Sequence, residues 1–154
     1  MSTLYETLQN VDIYRDAFNV SPPTALGPRE MRPRKPGAFI RRAAAAPTPD
    51  TDVAHDAPAT APARELIEAQ WGLVPSWVKS ESDGKLRAPK LVNARSETVS
   101  TSTPFREAWL NGQRCIVPMA AFFVDDFRSG KAVSTRISRV DGQPMGVAGL
   151  WACW

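Results

Sequence analysis

RCIVPMAAFFVDDFRSGKAVSTRISRVDGQPMGVAGLW, residues 114–151, is the stretch that decides the fold class. Cys115 to Phe123 is a continuous apolar run broken by Pro118, which has no N–H to give to a ladder, so a buried strand with an edge or a bulge is expected. Val133 to Ser138 alternates with period two, as a half-buried strand does. Asp141-Gly142 is a hairpin-turn dipeptide, and Met145 to Trp151 reads as the strand returning from it.

Upstream, Thr103 is placed to cap a helix with Pro104 in its first turn, Glu107 near its positive end and Asn111-Gly112 as its stop. Leu91 to Ala94 reads as a short extended piece, Ser76 to Ala88 as a polar excursion, Leu66 to Val74 and Phe39-Ile40 as strands. Residues 3–18 carry Leu4, Leu8, Val11, Ala17 and Phe18 among polar partners, which predicts a short amphipathic helix ending before Asn19. Many short strands and few short helices make this an α+β, β-rich domain, with mixed or antiparallel strands expected.

The chain has 154 residues, 43% of them apolar, which suits a single domain spanning 1–154. Residues 43–63 consist almost wholly of Ala, Pro, Thr and Asp, a composition that cannot bury enough apolar surface to offset chain entropy; a disordered Ala/Pro-rich loop is expected there. His55, the one histidine, falls inside it. No apolar run is long enough to span a membrane and the first sixteen residues are too polar for a signal peptide, so a cytoplasmic location is expected. Cys115 and Cys153 have neither metal-ligand spacing nor a disulfide pattern, and no metal or cofactor is expected. The net charge is +3, but Arg29, Arg32, Arg34, Lys35, Arg41 and Arg42 crowd one segment, which suits a phosphate backbone.

Five ordered blocks carry a resemblance: MSTLYET at the start, WGLVPSW (Trp71–Trp77), NARSET (Asn93–Thr98), FREAW with RCIVP (Phe105–Pro118), and SGKAV followed by DGQPMGVAGLW (Ser129–Trp151). In order and spacing the chain resembles the SOS-response-associated peptidase (SRAP) family of abasic-site processing proteins. The resemblance implies a role in the DNA damage response, with single-stranded, abasic DNA as partner. In that family a cysteine exposed by removal of the initiator methionine condenses through its amine and thiol with the abasic aldehyde, closing a thiazolidine ring.

Three departures from the family pattern bear on that chemistry. Ser2 stands where the family has its cysteine. Its α-amine, with a pKa of about 7.7 to 8.0, could form an imine once Met1 is removed, but a hydroxyl closes the ring far less readily than a thiolate. Val124 follows Phe122-Phe123 where the family has a glutamate that acts in the reaction. Asp125 should point to the other strand face, and Asp126 lies about 6.5 to 7 Å further along. The family typically continues for several tens of residues past the last block, including an assisting histidine, so the last part of the usual fold is expected to be missing. Leu4 replaces a usual arginine.

By position, the resemblance assigns Asn93 to the abasic sugar and Arg95 to the DNA backbone. A carboxamide can orient an aldehyde, and a guanidinium grips phosphate with a planar fork. Trp71 and Trp77 are candidates for groove lining and base stacking, and Arg41 and Arg42 for phosphate contacts. The expected function is a SRAP-like protein that binds single-stranded or abasic DNA and is impaired in covalent crosslinking. The alternatives are an abasic-site enzyme acting through a reversible Ser2 imine, and a non-catalytic interaction module or truncated remnant.

Overall fold

The computed structural model describes residues 2–43 and 63–154. Two four-stranded antiparallel sheets face each other. One has the order β2 (Glu30–Met31), β1 (Tyr5–Glu6), β6 (Ala121–Asp126), β7 (Val133–Ile137). The other has the order β4 (Arg64–Gln70), β3 (Pro36–Arg42), β5 (Arg114–Met119), β8 (Met145–Leu150). The helices are short: α1 (Val11–Phe18), α2 (Glu81–Arg87), which runs into a 3-10 turn at Ala88–Lys90, and α3 (Arg106–Leu110). The α+β, β-rich expectation therefore holds, and every strand pair is antiparallel.

Several local expectations are corrected. The helix expected over 3–18 starts only at Val11, because the Asn10 side chain accepts the Asp12 N–H at 2.9 Å and caps it there. The residues before it form β1, drawn into the sheet by pairing of Tyr5 with Met31 on one side and Phe122 on the other. At its far end Asn19 adopts a left-handed conformation, φ 55°, and closes the helix. The run from Cys115 to Phe123 is two strands, split at Ala120, and they belong to different sheets. The Asp141-Gly142 turn forms, with φ 72° at Gly142, but β7 and β8 are not a hairpin: β7 pairs with β6 and β8 with β5. Ser76 to Ala88 contains α2, capped by the Ser80 hydroxyl, which accepts the Asp83 N–H at 3.2 Å. Leu91 to Ala94 joins no strand, and α3 begins after Pro104 without a side-chain cap. The expected loop at 43–63, with His55, lies outside the described residues apart from its two ends.

Residue alternation along β3 and β5 divides the core. Leu8, Tyr14, Val20 and Ile40 pack α1 against the outer face of the second sheet. Tyr5, Met31 and Met119 pack between the sheets, with Trp71, Phe122 and Val147 against them. Gly37 lets the sheets approach here: a Cβ would stand 3.1 Å from the Tyr5 hydroxyl and 3.3 Å from the Met31 methyl, and those side-chain ends would have to shift. Gly72, in the WGLVPSW turn, has φ 121°, and a Cβ would lie 2.6 Å from the Ala88 carbonyl oxygen.

Candidate functional site

A cavity of about 1090 Å³ opens between the sheets. Ser2, Asn93, Ala94 and Ser96 line it, whereas Arg95 does not. Asn93 Nδ2 donates to the Ser2 carbonyl at 2.6 Å. The Ser2 hydroxyl donates to the Leu4 carbonyl at 2.8 Å, so the chain start is bonded in place rather than frayed. β1 continues the anchoring: Phe123 N–H donates to the Leu4 carbonyl at 3.1 Å and Ala120 N–H to the Glu6 carbonyl at 2.8 Å. The Glu6 carboxylate, 13% exposed, meets Arg136 at 2.5 Å and Arg29 at 3.3 Å. The Arg136 hydrogen bond holds its carboxyl below the usual range, against the opposing effect of partial burial.

Four of the five tryptophans line this cavity: Trp71, Trp109, Trp151 and Trp154. Trp71 stands edge-on to Tyr5 with ring centroids 4.9 Å apart, and so is a wall fixed by the core. Trp77 lies elsewhere, 45% exposed, with the Arg87 guanidinium 5.0 Å from its ring centre. Together with Lys90 and Pro104 it borders a separate hollow of about 230 Å³. Arg87 is itself paired with Asp83 at 2.9 Å, whereas Lys90 makes no ion pair among the described residues.

The cations separate into paired and unpaired groups. Arg95 is exposed on the turn after Asn93 and makes no ion pair among the described residues. Arg41 is tied to Glu65 at 2.6 Å and lies 4.5 Å from the Trp151 ring centre, which makes it a brace on the cavity wall. Arg42 points to the opposite face and is exposed. Arg29 and Arg32 are paired with Glu6 and Glu30, so with Arg41 three of the six cations of the basic segment are already in ion pairs.

Val124 lines the cavity beside Phe122. Neither aspartate after it is a cavity-lining residue. Asp125 is exposed, and Asp126 is held by Arg128 at 2.6 Å, whose hydrogen bond keeps the Asp126 carboxyl low. Reading along the chain missed Glu81 and Lys85, which line the cavity from α2 and pair with each other at 2.5 Å. Their i,i+4 spacing was visible, but not that α2 would face the gap. Cys115 also borders the cavity; burial pushes its thiol up to about 11, so it is a poor nucleophile. No group of three or more His, Cys, Asp or Glu among the described residues could hold a metal ion, and no described helix is long and apolar enough to cross a membrane.

Two facing antiparallel sheets, with the chain start pinned by an asparagine inside the gap, define the class of protein. The profile of the SOS response associated peptidase (SRAP) family matches residues 5–154, and the chain belongs to that family. It is 36% identical over 67 residues to the abasic site processing protein HMCES of Gallus gallus, covering 44% of this chain and 20% of that one. It is 35% identical over 90 residues to the abasic site processing protein YoqW of Bacillus subtilis, covering 58% of this chain and 38% of that one. A crystal structure of a protein from Bordetella bronchiseptica superposes with a TM-score of 0.75 at 37% identity, over 96% of this chain and 62% of that one. The matched region thus spans well under half the length of these two named relatives.

Proposed function

We propose that this chain binds single-stranded DNA at an abasic site, with Asn93 and Ser2 at the opened sugar and Arg95 and Trp77 along the strand. Crosslinking then stops at a reversible imine. The observation that carries this reading is the 2.6 Å bond from Asn93 to the Ser2 carbonyl, which sets the chain start inside the cavity. Once Met1 is removed, the Ser2 α-amine adds to the sugar aldehyde, and loss of water leaves an imine. No thiol follows to close a ring, and Val124 supplies no proton transfer.

The test is single-stranded DNA with one abasic site, with and without borohydride. An adduct trapped only by reduction and mapped to the Ser2 amine supports the proposal. A heat-stable adduct without reductant refutes the impaired chemistry, and absence of affinity at low salt refutes the DNA reading itself. Mapping to Lys85, the other amine on the cavity wall, would move the reacting centre to α2.

A further inference from the structure

We propose, resting on the DNA reading above, that Arg34 at the tip of the turn between β2 and β3 holds a phosphate flanking the abasic sugar.

The backbone of that turn is the first reason. Arg32-Pro33-Arg34-Lys35 is closed by the Lys35 N–H, which donates to the Arg32 carbonyl at 3.1 Å. Pro33 takes only a negative φ and Arg34 after it has φ 70°, so the turn is type II. That third position suits glycine, because a Cβ is strained in the left-handed region. The other described non-glycine residue with positive φ is Asn19, a type that tolerates it and that here closes α1. Nothing in the backbone asks for an arginine. The Arg34 N–H donates to the Trp71 carbonyl at 2.8 Å and the Trp71 N–H to the Lys35 carbonyl at 3.1 Å, bonds that glycine would allow equally. An exposed arginine kept at a strained position points to a use for its side chain.

The place of the turn is the second reason. β1 and β2 are antiparallel with Tyr5 beside Met31, so the chain leaves β2 toward the end of β1 that carries Ser2. Trp71, to which the turn is bonded on both sides, lines the cavity together with Ser2 and meets the Tyr5 ring edge-on. Residues 2–14 contain no Lys or Arg, so the chain start has no cationic side chain of its own.

Charge is the third. Arg29 and Arg32 are taken by Glu6 and Glu30, whereas Arg34 and Lys35 are exposed and make no ion pair among the described residues. A guanidinium free of carboxylates can close its planar fork on a phosphate without first breaking a pair. With Arg95, two residues after the asparagine that bonds Ser2, two unpaired guanidiniums come from separate segments tied to the chain start.

The experiment uses single-stranded DNA with one tetrahydrofuran abasic analogue, which cannot react, either intact or with a neutral methylphosphonate at one of the two flanking phosphates. Arg34→Gly relieves the strained backbone and removes the charge. Expected are a thermal midpoint equal to or above that of wild type, binding weaker by about tenfold, and a slope of log affinity against log salt lower by about 0.7. At one flanking position methylphosphonate should weaken wild type by a similar factor and leave Arg34→Gly unaffected, because that phosphate has already lost its partner. Arg34→Lys, which keeps the charge on the same backbone, should recover most of the salt slope. Equal binding by wild type and Arg34→Gly overturns the proposal and leaves the DNA reading standing, as do methylphosphonate losses that add to that of Arg34→Gly at both positions. A lower thermal midpoint together with lost binding makes Arg34 structural and overturns it too. Wild type without affinity for the intact strand at low salt overturns both readings.

Discussion

Asn93 Nδ2 lies 2.6 Å from the carbonyl oxygen of Ser2, joining residues 91 positions apart. This bond adds a long-range anchor to those that the Ser2 hydroxyl and β1 already give the chain start. Asn93→Ala should cost about 1 kcal/mol of stability, as loss of one hydrogen bond does, but reduce borohydride-trapped adduct at least tenfold, because the amine is no longer held at the sugar. Equal trapping by wild type and variant would show that the amine finds the aldehyde without this anchor.

On the proposed reading, the groups replaced by Ser2 and Val124 should be restorable in order. Ser2→Cys supplies a thiolate for ring closure, and the expected outcome is a heat-stable adduct formed slowly without reductant. Adding Val124→Glu puts a carboxyl beside Phe122 on the cavity face, and should speed formation by roughly 10²-fold, the lower end of general acid–base contributions. Denaturing gels over time read both. If the double variant is no faster than the single, the position of Val124 does not reach the reacting atoms.

Arg95 is exposed and unpaired among the described residues, so a phosphate contact there costs no broken ion pair. Arg95→Ala should weaken single-stranded DNA binding at every sequence alike, and lower the slope of log affinity against log salt by about 0.7, the value for one phosphate on a single strand. Arg41→Ala should instead act through the wall, since its guanidinium is shared between Glu65 and Trp151, and leave the salt slope nearly unchanged. Fluorescence titrations at several salt concentrations separate the two.

Fold class was legible from period and turn chemistry, because both are local. Strand partners were not. The Asp141-Gly142 turn formed as read, with its left-handed glycine, but it carries the chain from one sheet to the other, and nothing in the dipeptide encodes that. The single residue Ala120 likewise separates two strands that read as one apolar run, since its role is set by which sheets β5 and β6 join. Asn93, singled out through its NARSET neighbours, lines the cavity, whereas Glu81 and Lys85 look like any solvated helix pair until α2 is placed there. Trp71 and Trp77 sit in one motif six residues apart, yet one is core wall and the other exposed surface.

Acid should loosen the chain start before the rest of the fold. Glu6 belongs to β1, four residues after Ser2, and its carboxylate is clamped by Arg136 of β7 and by Arg29. Its folded pKa is depressed, with the Arg136 hydrogen bond the largest cause, so the sign follows from linkage: the clamp is fully present above the unfolded glutamate pKa of about 4.3 and is lost as pH falls through the lower folded value. Arg136 is nearly half exposed, and solvent screening limits the pair to about 1 kcal/mol. Glu6→Gln should therefore lower stability at pH 7 by about that amount and flatten the dependence of stability on pH below about 5. Denaturant titrations between neutral and acid pH measure it. An unchanged acid limb in Glu6→Gln would assign the loss to other carboxylates, such as Asp126 or Asp141, whose pKa values are also held low by arginine partners, Arg128 and Arg139.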